Sequence, residues 1–222
     1  MANKKTRRGL VENSKIKMQK SKLSTDKIPL PKRDAGLVIR LKSITLFGFD
    51  NVLDKNGQLY LRLLCRLVDK AFYDYLSASE YLLEELKTKN KLAYRFSIID
   101  HLENCINALG RAISVFNCSK GRSSIGHLIS RDTKRKIERL SVSEIRNDIE
   151  HIDKDIQKGL WQKGLFLDVD EEYKNICINN HCIALTDLVY ALEQYHQLVL
   201  EIFKGLPNRQ EGGKYYYDKK QI

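Results

Sequence analysis

At 222 residues and 42% hydrophobic content, the chain is long enough to bury one core of ordinary domain size, and two large domains are not expected. No apolar run approaches the 18 or more residues of a membrane helix, and no apolar segment follows the basic N-terminus, so neither a span nor a secretory signal is read and a cytoplasmic location is expected. The net charge of +11 is uneven: residues 1–34 hold 11 Lys/Arg against three acids (+8), which leaves 28 against 25 (+3) for residues 35–222.

Residues 1–34 therefore read as a basic, disordered arm, either a solubilising tail or a segment that binds phosphate backbone through counterion release. Pro29 and Pro31 close it. Residues 35–56, rich in Val, Ile, Leu and Phe with partial alternation, read as a short strand-like lead-in, and "DKNGQ" at 54–58 breaks that pattern. From Leu59, apolar residues recur at helical spacing through Leu64, Leu67, Val68, Ala71, Phe72, Tyr75, Leu82 and Leu86, giving a long first helix. A second helix is expected over about 92–116, stopped near Gly121. Residues 125–140 read as one or two short helices.

Ser141 then stands as an N-cap with Glu144 three residues on, and Leu140 is spaced to meet Ile145 as a hydrophobic staple. The helix that starts there is expected to reach about Lys158. After it, "LFLDVDEEYKNICINNHCIAL" alternates around two turn-like clusters and reads as a β-hairpin near 164–184. A last helix is expected over about 185–203, and 206–222 is a polar tail, in which Tyr215, Tyr216 and Tyr217 among lysines are read as a flexible end rather than a base-stacking surface. The sum is an all-α protein: a bundle of four or five helices over 57–205 with a small β-hairpin.

Chemistry concentrates in "EIRNDIEHID" (144–153). At 100° per residue, Ile145, Ile149, Ile152 and Ile156 form a buried stripe, and Arg146, Asn147, Glu150 and His151 are expected to share the opposite, outward face. Asn147 with His151 and Arg146 with Glu150 are i,i+4 neighbours. Arginine offers a permanently charged planar fork for phosphate oxygens, and histidine titrates near neutrality. The pair suffices for metal-free RNA cleavage in which the 2′-hydroxyl attacks, a histidine moves a proton and the arginine stabilises charge on phosphorus. Similar spacing recurs in "RSSIGH" (Arg122, His127) and "RFSIIDH" (Arg95, His101), but the first crosses a Gly/Ser connection and the second is largely core-facing.

"RNDIEH" resembles the signature of the HEPN superfamily: an Arg, four to six residues and a His, with a polar residue commonly after the Arg. The resemblance rests on six residues and a compatible helical pattern over roughly 57–204. It implies an all-α, often dimeric fold and a metal-independent endoribonuclease of the toxin–antitoxin, abortive-infection or anti-phage type, in which Arg and His of two protomers form one composite site. It implies catalytic roles for Arg146, Asn147 and His151 alone; Glu150, the i,i+4 ion partner of Arg146, is read as supporting them, and Glu103 and Asp100, by their position on the second helix, as further polar site residues that some members use there. The implied partners are RNA, a second copy of the chain, and an antitoxin protein or regulatory RNA as control; no cofactor and no metal are expected. The alternative is a non-catalytic helical module that binds RNA or a partner protein. Five cysteines, odd in number and without Cys-x-x-Cys, read as reduced thiols, and "CINNHC" (Cys177, His181, Cys182) is a poor zinc set, with a turn at Asn179 and Asn180 the preferred reading. His127 and His196 read as surface or core-edge residues. The chain has no Gly-rich phosphate loop, dinucleotide fingerprint or nucleophile elbow.

Overall fold

The computed structural model describes residues 28–33, 36–46, 48–88, 92–119, 124–140, 142, 146, 147, 149, 151, 157, 158, 167–178 and 181–206. In chain order these form α1 (Leu37–Leu46), a 3-10 turn (Phe49–Val52), α2 (Lys55–Lys87), α3 (Leu92–Ser119), a second 3-10 turn (Gly126–Leu128), α4 (Arg131–Glu138), β1 (Asp168–Val169), β2 (Asn175–Ile178), β3 (His181–Ala184) and α5 (Leu185–Gly205). The protein is thus a helical bundle with one small antiparallel sheet, the expected class. Among the described residues no helix is long and apolar enough to cross a membrane.

Two expectations at the N-terminal side are corrected. The strand-like lead-in is helix α1: Leu37 is buried and Val38, Leu41 and Ile44 are partly buried against the core, a spacing that only a helix delivers to one side. Asp69 of α2 fixes its start, accepting from the amides of Leu37 (2.9 Å) and Val38 (2.8 Å) as a side-chain cap from another helix. Tertiary packing here overrides the β preference of Val and Ile. Residues 28–33, read as the end of the arm, belong to the body instead. Ile28 is buried, the Tyr75 hydroxyl donates to the Pro29 carbonyl at 2.7 Å, and Arg33 stacks over Phe72 at 5.5 Å. Residues 1–27 and 207–222, with Tyr215 to Tyr217, lie outside the described residues.

Helix α2 starts earlier than its apolar pattern suggests, because Asp54 caps it by accepting from the Gly57 amide at 2.6 Å. The break read at 54–58 is therefore the first turn of the helix. It runs 33 residues, about 50 Å at 1.5 Å per residue, and α3 folds back along it. Contacts pairing Glu85 with Arg95 and Asp74 with His101 step in opposite chain directions, which makes the hairpin antiparallel. Its buried side chains, among them Leu64, Phe72, Tyr75, Leu102, Leu109 and Phe116, merge with Leu188, Leu192, Tyr195 and Val199 of α5 into one core.

The sheet has three strands in the order β1-β2-β3, all antiparallel, one short strand more than the expected hairpin. In the pairing of β2 with β3, Ile178 stands opposite His181; Asn179 and Asn180, where a turn is expected, lie outside the described residues. In this register Cys177 and Cys182 are directly opposed and form a disulfide. That corrects the reading of all five cysteines as reduced thiols and removes both from any zinc set: side chains opposed across two antiparallel strands have Cβ atoms about 5 Å apart, within reach of each other. Cys65 and Cys105 are buried free thiols, and burial pushes both well above the usual thiol range, so neither is a ready nucleophile.

Candidate functional site

The described residues of the motif segment, Val142, Arg146, Asn147, Ile149 and His151, are all helical. Val142 is buried at 1% exposure and Ile149 packs against the core. At 100° per residue these two and Arg146 fall within about 60° of one another, whereas Asn147 and His151 lie on the opposite side. Exposure follows that split: Arg146 is half-buried, and Asn147 and His151 are exposed.

The four-residue outward face is therefore corrected for Arg146, which points inward over α3. Its side chain lies across Gly110 so closely that a Cβ on that glycine would stand 1.9 Å from Arg146 Cδ and 2.8 Å from both Cγ and Nε. The Nε atom is buried. The cause is Val142: once it is the residue inserted in the core, its i+4 neighbour must face the same way, and a long flexible stem can run along apolar surface while carrying its charge outward. Glu150, together with Ile145, Ile152 and Ile156, the Ser141 cap and the Glu144 capping partner, lies outside the described residues.

Helix α3 supplies the floor. Glu103 lies two turns before Gly110, within about 20° of it around the axis but roughly 10 Å along it, and Asp100 lies roughly 15 Å along and about 80° around. Glu103 thus shares the side of α3 on which Gly110 lies, two turns away, whereas Asp100 is turned aside from it and lies farther along the helix. Glu103 is half-buried and Asp100 exposed. Burial, and after it the Asp100 charge, hold the Glu103 carboxyl above its ordinary value. Asn107 lies one turn before Gly110, and Ser114, one turn after it, donates from its hydroxyl to the Gly110 carbonyl at 3.1 Å. Sequence reasoning named neither of them, nor Gly110. The available signal was a glycine in the middle of a strong helical pattern, "INALGRAIS", where it is disfavoured unless something needs the space.

The two other arginine–histidine spacings resolve differently. Arg95 and His101 serve separate structural clusters. Arg95 reaches Glu85 Oε1 at 3.3 Å and Asp168 Oδ1 at 2.8 Å, and donates to the Val169 carbonyl, tying the sheet to the helical hairpin. The Tyr173 hydroxyl donates to the same Glu85 oxygen at 3.3 Å, and this buried anchor holds Tyr173 at φ 57°, a left-handed conformation that costs a non-glycine residue about 1 kcal/mol. His101 Nδ1 sits 3.4 Å from Asp74 Oδ1, its ring stacked on Tyr81 at 5.6 Å, while Lys70 binds the other Asp74 oxygen at 2.7 Å. Asp74 is buried, and a buried carboxylate requires such cationic and hydrogen-bonding neighbours. Of the third pair, His127 is exposed and Arg122 is outside the described residues. His196 is buried, 5.6 Å from the Phe72 ring, deeper than the core-edge position expected.

The motif segment can do two separate things: present a proton-transfer group, His151, to solvent beside an amide, Asn147, and hold a cation, Arg146, against the surface of α3. No protein-family model, curated protein or solved structure matches this chain.

Proposed function

We propose that the protein is a metal-independent endoribonuclease of HEPN type, acting as a homodimer. The observation that carries this is the split within one helical turn and a half: Arg146 seated on α3 and His151 exposed, about 140° apart around the helix. One segment does not aim both groups at a single phosphate, so convergence asks for a second copy. In an isologous dimer with the motif segments near the two-fold axis, each protomer supplies one arginine and one histidine to a shared site.

The chemistry balances with those four groups. One His151 takes the proton from the 2′-hydroxyl as its oxygen bonds to phosphorus, the bond from phosphorus to the 5′-oxygen breaks, and the other His151 protonates the leaving oxygen. The products are a 2′,3′-cyclic phosphate and a 5′-hydroxyl. Arg146 from each side stabilises the additional charge on the equatorial oxygens, and Asn147 orients the histidine or the phosphate. RNA is the substrate, and the setting is anti-phage defence or a toxin–antitoxin pair, with an antitoxin protein or regulatory RNA as restraint.

The test is incubation of the purified protein with total RNA in EDTA, with end-group analysis of the products. Cleavage to cyclic phosphate, lost separately in Arg146→Ala and His151→Ala, is the expected result, together with a dimeric mass in solution. Full activity in a demonstrably monomeric form, or 3′-hydroxyl and 5′-phosphate ends, overturns the mechanism. Uncut RNA that remains bound points instead to a non-catalytic RNA-binding module.

A further inference from the structure

We infer that Gly110 is a positioning residue for Arg146, and that the missing side chain at this point of α3 sets where the arginine presents its charge. The inference rests on the functional reading of Arg146, but its geometry stands apart from that reading. Glycine is the poorest helix-interior residue after proline, yet Gly110 lies deep inside a 28-residue helix and is buried. It is not there for backbone freedom, because its φ is not positive as that of Gly48 is. What it provides is space. A methyl group would overlap Cδ of Arg146 and crowd Cγ and Nε, the middle of the side chain rather than its free end, so the arginine could not yield by a small rotation of its tip.

Neighbouring positions cannot take over this role. Leu109 is core, Arg111 faces solvent, and Ser114, the nearest residue one turn on, already directs its hydroxyl back to the Gly110 carbonyl. Val142 and Ile149 flank Arg146 on the same side of its own segment and fix the height of the crossing. The arginine is therefore held from both sides, by its segment's apolar anchors and by a slot in α3, which is the preorganisation a charge-stabilising group needs. The slot is specific to the residue type: alanine, the best helix former, is the change that intrinsic propensity favours and this geometry forbids.

The deciding experiment is Gly110→Ala in the full chain, read three ways. Displacement of Arg146 by an ångström or more should lower kcat for RNA cleavage on the order of a hundredfold with KM little changed, since the lost interaction forms in the transition state. In protein labelled with 15N-arginine, the Arg146 Nε–H, buried in the wild type, should lose its protection from solvent exchange. In the double-mutant cycle, Gly110→Ala should add nothing to Arg146→Ala, because removing the arginine removes the clash. If Gly110→Ala alone fails to fold, recovery of folding in the Gly110→Ala, Arg146→Ala double variant supports the same clash, and continued failure overturns it. Wild-type kcat together with wild-type Nε–H exchange in Gly110→Ala also overturns the inference, as does an equal loss in both backgrounds. Should the wild type cleave no RNA, the functional reading falls by itself, while the exchange and folding measurements still decide the positioning.

Discussion

Arg95 and Arg146 make an instructive pair, since both stand five or six residues before a histidine on or beside the same helix and only the second resembles a catalytic motif. At Arg95 the surroundings are rich in fixed partners. A buried carboxylate, an aspartate and a strand carbonyl converge on one guanidinium, and the adjacent His101 is turned to a different carboxylate. At Arg146 the side chain crosses a glycine slot on α3, and Val142 and Ile149 on the same side of its own segment pack into the core, with the histidine of the motif exposed on the opposite face. Similar spacing in sequence therefore gives one arginine that ties the sheet to the helical hairpin and one whose side chain is seated in a slot of another helix. The difference is set by residues far away in sequence, Glu85 and Asp168 in one case and Gly110 in the other.

The largest effects should separate the two regions by kind. His151→Ala should lower RNA cleavage by about 10²- to 10⁴-fold, the usual contribution of a general acid or base, and leave the urea unfolding midpoint almost unchanged, because an exposed side chain away from caps and cores is worth little to stability. A matching loss of stability would move His151 from the site to the scaffold. Arg95→Ala should do the reverse. It strands Glu85, buried at 2% exposure, without its cation, at a cost of about 3 kcal/mol in denaturant unfolding, with cleavage per folded molecule retained. If Arg95→Ala instead abolished cleavage at full stability, the contrast between the two arginines would be reversed.

A smaller effect lies in the sheet that Arg95 anchors. Reducing the Cys177–Cys182 bond, or replacing both residues by Ser, releases a loop with a sequence separation of only 5. The chain-entropy estimate is then about 2 kcal/mol at most. The loss should show in thermal unfolding and be absent from the cleavage rate; a changed rate would join the sheet to the site and blur the comparison.

How far these two regions were legible from sequence follows from the range of the interactions involved. The helices α2, α3 and α5 were readable because their apolar spacing reports burial directly, and Val142 with Ile149 could have been read as an inner face by the same rule. The isoleucine stripe drew attention instead, since Ile145, Ile149, Ile152 and Ile156 make a more regular set than one valine and one isoleucine flanking an arginine. α1 was misread because a ten-residue segment with six Val, Ile and Leu suits either period, and the decisive group, the Asp69 carboxylate at its N-terminus, is about thirty residues away. The disulfide escaped notice because two cysteines five apart become opposed only once strand register is known. Gly110 was visible as an anomaly, but what fills its space comes from a segment 36 residues later.

Glu103 provides the finest test of where the site ends on α3. Burial and the neighbouring Asp100 hold its carboxyl above the ordinary glutamate value, so the folded state binds this proton more tightly than the unfolded chain does. Between the unfolded value of about 4.5 and the higher folded one, the native state carries more bound protons. Stability from this group is then fully present below the unfolded value and is lost as pH rises through the folded one. Glu103→Gln cannot ionise and escapes that loss. It should melt slightly higher than wild type at pH 7, and the two curves should converge at pH 4 and below. Because Arg146 meets α3 at Gly110, two turns from Glu103, the same substitution should leave the cleavage rate within about threefold of wild type, less than half a pKa unit's worth of free energy. A hundredfold fall in rate, with the melting curves behaving as described, would extend the site two further turns along α3 and make Glu103 part of what Arg146 works with.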